Sequence, residues 1–170
     1  MSAEYNWKLL PETGWEPLES FTTGDSTPKF VSAEQSVDRI LIRYFWDPER
    51  RDARAHMRMG QHAQGPPGHV HGGCLASILD ELMGLAAWRN ELAVVARELT
   101  IRYRKPTPLW TELVGHAWIE RVEGRNAWIR GHIANPDGTV YVESEGVFTD
   151  IGGDRFRELA AGAREVRAQQ

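Results

Sequence analysis

Cysteine is nearly absent from this chain: one residue, Cys74, stands among 170, so no internal disulfide can form, which agrees with a reducing compartment. Long hydrophobic runs are missing too. The longest uninterrupted apolar stretch is Leu92 to Ala96, far short of the ~20 residues a helix needs to cross a bilayer. Residues 1 to 30 contain no arginine and no apolar core, and they carry Glu4, Glu12, Glu16, Glu19 and Asp25 against Lys8 and Lys29. That pattern fits neither a secretory nor an organelle-targeting segment. A cytoplasmic protein without a membrane span is expected. There is no excess of positive charge either: a net charge of -4 gives no sequence-wide basic field for nucleic acid. What is present, 41% hydrophobic and 26% charged residues, is the balance of a soluble globular protein able to bury a core.

Up to about Asp38, Trp7, Trp15, Pro11, Pro17 and Pro28 sit among polar residues without a period, and this reads as an arm lying on the core through its two indoles. Asp38 to Asp47 is rich in β-branched and aromatic residues and is stopped by Pro48, which predicts a strand. In Ala53 to Met59, Ala53, Ala55, Met57 and Met59 alternate with Arg54, His56 and Arg58, a strand with one wet face. Gly60 to Gly73 turns to Gly, Pro, His and Gln, a long loop of the kind that usually carries function. Cys74 to Asn90 places Leu75, Ile78, Leu79, Leu82, Leu85 and Ala86 at helical spacing. Val94 to Arg104, Leu113 to Glu120, Ala127 to Ala134 and Thr139 to Phe148 read as four more strands. Gly124 and the NPDG turn at 135–138 join the last three into an antiparallel meander. Asp154 to Arg167 carries Phe156, Leu159, Ala160, Ala163 and Val166 on one face, predicting an amphipathic helix behind an Asp N-cap and packed on the domain. A single apolar helix facing about six antiparallel strands must be wrapped by them, an α+β architecture. The chain divides into an arm (1–37), a central domain (38–150) and a C-terminal helix (151–170).

Chemistry concentrates in Gln64 to Glu81, QGPPGHVHGGCLASILDE. Gly72 and Gly73 precede the helix, so their amides fall among the unsatisfied N–H groups of its first turn, where the dipole favours negative charge. Glycine also lets a ligand oxygen approach the backbone, as an oxyanion site for acyl transfer requires. Asp80 lies in the otherwise apolar helix with the small residues Ala76 and Gly84 on its stripe. A carboxylate in such surroundings is either functional, paired with an arginine, or at the solvated edge of the helix. Gly72 and Asp80 are eight residues apart, about 12 Å along a helix. If they share one reaction, the helix N-terminus of one subunit must face the aspartate of another, which predicts at least a dimer.

HGG at 71–73 followed by Asp80, with QGPPG at 64–68, YRKPTP at 103–108 and VEGR at 122–125, resembles the hotdog-fold acyl-CoA thioesterases, in particular their PaaI-like and THEM4-like branch. The resemblance covers about residues 38–150. It implies a long helix wrapped by a curved antiparallel sheet, edge-to-edge homodimers and often a further pairing of dimers into tetramers. It further implies that Gly72, with Gly73, donates backbone N–H groups to the thioester carbonyl. The same resemblance implies that His71 helps place the substrate and that Asp80 of the partner chain acts as general base for water or as nucleophile. No cofactor is implied, coenzyme A being part of the substrate. Many members carry a Ser or Thr on the strand after the helix that positions the water. The equivalent here is Ala96, and Ser77, Glu81 or Thr100 could serve instead. Two other functions share the pattern: hydration or dehydration of acyl thioesters, and non-catalytic acyl-CoA binding.

Arg102, Arg104 and Lys105 end one strand, and Arg121 and Arg125 flank a meander turn. Of these, Arg104, Lys105 and Arg125 are the candidates for coenzyme A phosphates, against the reading that they are solvated charges. Trp88, Trp110, Trp118 and Trp128 either line an acyl tunnel or pack in the core. Cys74 at the helix start has the setting of a lowered thiol pKa, though a small buried residue there is the simpler reading. His69 and His71 form an HxH pair without further clustered ligands, so no metal is assigned.

Overall fold

The computed structural model describes residues 6–19, 30–32 and 35–168. In chain order they form β1 (Glu16–Leu18), β2 (Ile40–Asp47), β3 (Asp52–Met59), a 3-10 turn (Gln61–Ala63), α1 (Gly72–Arg89), β4 (Val94–Tyr103), β5 (Glu112–Glu123), β6 (Asn126–Ala134), β7 (Val140–Asp150) and α2 (Gly153–Ala168). Every pairing between these strands is antiparallel, and they lie in the order β1-β2-β3-β5-β6-β7-β4. The meander β5-β6-β7 turns where the sequence signals it. Gly138 donates its N–H to the Asn135 carbonyl (3.0 Å), the Asn135 Oδ1 accepts from Thr139 N–H (2.8 Å), and Gly138 takes the positive φ of 85° that the turn needs.

α1 explains the crossover. It carries the chain from β3 over the sheet, so β4 adds at the far edge beside β7. The helix touches β3, β5, β6, β7 and β4 in turn. Five strands spaced ~4.8 Å apart can all meet a cylinder ~10 Å wide only if the sheet curves around it. Leu75, Ile78, Leu79, Leu82, Met83, Leu85, Ala86 and Ala87 are buried against Met57, Leu113, Ile129, Ile133, Val142 and Phe148. This is the hotdog arrangement, a seven-stranded open sheet wrapped around one helix.

Three expectations are corrected. β1 extends the sheet by a strand that the polar N-terminal segment did not announce; it pairs Glu16, Pro17 and Leu18 with Trp46, Phe45 and Tyr44. The outer face of β3 is not wet, because Trp15 packs on Phe45 and His56 and lies under Arg54, leaving His56 4% exposed. Trp7 is buried as well, with Arg43 over its ring. Asp154 sits inside the first turn of α2, which begins at Gly153, rather than capping it. Phe156 packs edge-on against Trp88 of α1 at 4.3 Å, while Leu159 is half exposed. Pro28 lies outside the described residues, as do the side chains of Ala160, Ala163 and Val166. Among the described residues no helix is long and apolar enough to cross a membrane.

Candidate active site

The Gly- and Pro-rich segment before α1 is a tightly bonded loop. Gln64 bridges Val70, Gly65 N–H donates to His69 O (3.0 Å), and the Gln64 Oε1 accepts from Gly68 N–H (2.9 Å). Two further bonds, Val70 N–H to Thr107 O and Leu109 N–H to Gly68 O, tie it to the segment after β4. The position of Gly65 is sterically set: a Cβ there would lie 2.8 Å from the His71 Cα, a backbone atom that cannot swing away. The loop therefore delivers His71 to the helix entrance.

His71 is the N-cap of α1, its Nδ1 accepting from Gly73 N–H at 2.9 Å. A backbone N–H can only donate, so Nδ1 carries no proton and the ring presents an Nε2–H. His69 is held the other way: its Nδ1 faces the Pro67 carbonyl at 2.9 Å, which only accepts, so its Nδ1 carries a proton. Of the two glycine amides expected at an oxyanion site, Gly73 is thus engaged by His71, a correction, and only the Gly72 N–H donates no hydrogen bond among the described residues. The Gly72 carbonyl accepts from the Tyr103 hydroxyl at 2.9 Å, and the tyrosine ring fills the space a Cβ on Gly72 would need, with contacts of 3.1 to 3.2 Å.

An open pocket of about 530 Å³ faces this helix end, lined in part by His69, His71, Gly72, Tyr103, Lys105 and Thr107. Lys105 has no ion-pair partner among the described residues, whereas Arg104, also on the lining, is paired with Glu143 at 2.8 Å. Thr107 is 2% exposed and its Oγ1 has no hydrogen-bond partner among the described residues.

The other expected residues lie elsewhere in the protomer. Asp80 is on the open side of α1, where desolvation and then the neighbouring Glu81 hold its carboxyl above the usual carboxylate range. Glu81 lies beside the buried phenol of Tyr44, which burial and that carboxylate keep protonated. The Ser77 hydroxyl donates to the Gly73 carbonyl at 2.8 Å. Thr100 lines the outer face of the sheet with Glu120, Trp128 and Arg130, so it cannot position a water beside α1, correcting that expectation. Arg125 donates to the Asp150 carbonyl (2.9 Å) where β4 begins, nine residues and ~30 Å of strand from Tyr103, so a single chain does not bring it to the pocket.

Two of the tryptophans offered for an acyl tunnel also lie outside. Trp118 packs on His116 and His132, and Trp128 lies under Arg121 on the outer face. Burial pushes the Cys74 thiol up to about 11, opposite to the activation expected of a nucleophile. Among the described residues no group of three His, Cys, Asp or Glu is placed to hold a metal. Tyr103 and Thr107 entered the sequence reading as members of the YRKPTP motif at 103–108, with no role of their own, and nothing in that motif marks Thr107 as buried.

A long buried helix with an unsatisfied glycine amide at a pocketed N-terminus, inside a curved antiparallel sheet, defines a class of protein. The thioesterase superfamily profile matches residues 67–142 of the chain. Acyl-coenzyme A thioesterase THEM4 of Mus musculus is 35% identical over 162 residues, covering 86% of this chain and 70% of the relative. Among solved structures, a thioesterase superfamily protein superposes with a TM-score of 0.62 and 34% identity over 65% of this chain and 54% of its own. A Streptococcus pneumoniae thioesterase solved with coenzyme A gives 0.57 at 19% identity, over 59% and 82%. The chain belongs to the thioesterase superfamily, and it is an enzyme of that kind.

Proposed function

We propose that the protein hydrolyses acyl-CoA thioesters to a free acid and coenzyme A at a site shared between two protomers. The observation that carries this reading is the Gly72 amide at the N-terminus of a buried helix, without an acceptor among the described residues and opening on a pocket with Lys105, which has no ion-pair partner among them, on its wall. The names of the relatives, and the coenzyme A in one structural neighbour, support the substrate class. In this reading the thioester oxygen sits against Gly72 N–H, where the helix dipole and the amide stabilise the negative charge that develops on it. Water attacks the carbonyl carbon as Asp80 of the partner subunit takes its proton, and the C–S bond breaks to release coenzyme A. A carboxyl raised above its ordinary range is a better base near neutral pH than an unperturbed one. Lys105 and Arg104, with Arg125 from the other chain, neutralise coenzyme A phosphates.

The edge of the sheet supports the shared site. β4 is an outermost strand of ten residues with Val95 and Tyr103 exposed, a template for pairing with a second β4. Antiparallel pairing across a two-fold axis sets the Tyr103 end of one chain against the Val94 end of the other. That brings the partner's half of the sheet, with Arg125, towards the pocket. Further pairing of dimers and a cytoplasmic location, the latter supported by the lone half-buried Cys74, belong to the same reading.

The test follows thiol release from a panel of acyl-CoAs. Asp80→Asn and His71→Ala homodimers are both expected to be inactive, and mixed dimers of the two to regain activity, because one of their two sites then holds an intact aspartate opposite an intact histidine. Mixed dimers as inactive as their parents would overturn the shared site, and tight acyl-CoA binding without any thiol release would make the protein a binding protein instead.

A further inference from the structure

The hydroxyl of Tyr103 bonds to the carbonyl of Gly72, and through that peptide it closes a chain of bonds that ends on His71. Its O–H donates to the Gly72 carbonyl (2.9 Å), and the same peptide group presents the Gly73 N–H to His71 Nδ1 (2.9 Å). Carbonyl and N–H share one π-system, so a proton donated to the oxygen makes the nitrogen a stronger donor. Condensed-phase estimates put such strengthening at roughly 10–30% per bond. The ring packs where a Gly72 side chain would otherwise stand, and Tyr103, Gly72, Gly73 and His71 line one pocket. Tyr103 is therefore connected to both ends of the peptide that orients His71.

Building on the thioesterase reading of this site, we infer that Tyr103 is a positioning residue: acting through the Gly72–Gly73 peptide, it holds His71 as the Nε2–H tautomer aimed at the substrate and braces the oxyanion-binding amide. The alternative tautomer would put a proton on Nδ1, facing the Gly73 N–H, and would leave both the amide and the pocket without their partner. The tyrosine hydroxyl raises the cost of that flip without contacting the thioester.

Tyr103→Phe removes one oxygen and keeps the packed ring. The expected result is a kcat lower by about three- to tenfold, the worth of one hydrogen bond, with KM for acyl-CoA within about twofold. In nitrogen-15 spectra of the histidines, with His71→Gln used to assign the signal, wild type shows the Nε2–H pattern for His71. The variant shifts towards the average of the two tautomers. An unchanged His71 spectrum overturns the path through the peptide whatever the rate does. An unchanged kcat overturns the role in the reaction, and a rise in KM alone makes Tyr103 a direct substrate contact and overturns positioning. If wild type releases no thiol from any acyl-CoA, the thioesterase reading falls, and the His71 spectrum by itself still decides whether Tyr103 sets the ring.

Discussion

The two ends of α1 are treated differently by the chain around them. At the C-terminal end Asn90 caps the helix: its Nδ2 donates to Ala86 O (2.8 Å) and to Arg51 O (3.1 Å), its Oδ1 accepts from Arg51 Nε (2.8 Å), and Glu91 and Leu92 return their N–H groups to Trp88 and Ala87. Trp88 is covered by Phe156 of α2. At the N-terminal end one amide is satisfied by His71, and the next, on Gly72, faces a pocket. Both ends begin with the same problem of orphan backbone groups. The protein solves it with its own side chains at one end and leaves the Gly72 amide without an acceptor among the described residues at the other, and the proposed site rests on this asymmetry.

The contrast can be broken most sharply at Asp80. Asp80→Asn is expected to lower thiol release by about 10²- to 10⁴-fold, the usual contribution of a general base. It should also raise Tm. A carboxyl whose pKa is raised on folding costs stability once the pH is above its unfolded value, and the amide removes that cost. A loss of activity accompanied by a lower Tm would mean that Asp80 holds the fold instead. Gly65→Ala drives a methyl against the His71 backbone at the open end, and about 1–3 kcal/mol of destabilisation by denaturant titration is expected, together with reduced turnover. Asn90→Ala opens the closed end: about 1 kcal/mol of stability is expected to go, with kcat for the remaining folded protein unaltered. A matching fall in kcat there would show that the two ends are coupled.

The smallest effect is expected with pH, on the outer face of the sheet rather than at either helix end. Burial, reinforced for His132 by His116 and Arg54, depresses the pKa of His56 and His132 below the ordinary 6.5. The folded protein therefore binds fewer protons than the unfolded chain below that pH. Stability is full above about pH 6.5 and declines as the pH falls through the folded values. Asp52, 3% exposed, is depressed instead. Burial alone would raise it, but the bonds from His116 and Arg54 prevail, so its contribution survives until the pH drops below 3.8. Melting curves from pH 7 to 4 test this, and replacing His132 by Gln should flatten them.

Periodicity in the one-dimensional chain was enough for α1 and for the strands from β2 to β7, because a stripe of Leu75, Ile78, Leu79 and Leu82, or an alternation such as Ala53 to Met59, permits only one way of hiding apolar surface. The HGG tripeptide and Asp80 were visible for a related reason, since glycines before a helix and a carboxylate within an apolar one are locally anomalous. Contacts between distant segments carry no such signature. Tyr103 meets Gly72 across 31 positions, Trp15 seals the outer side of β3, Thr100 turns its side chain away from α1, and Gly73 gives its amide to His71. Each depends on which neighbour the sheet's curvature and register happen to supply, and hydrogen-bond direction is settled only once both partners are in place.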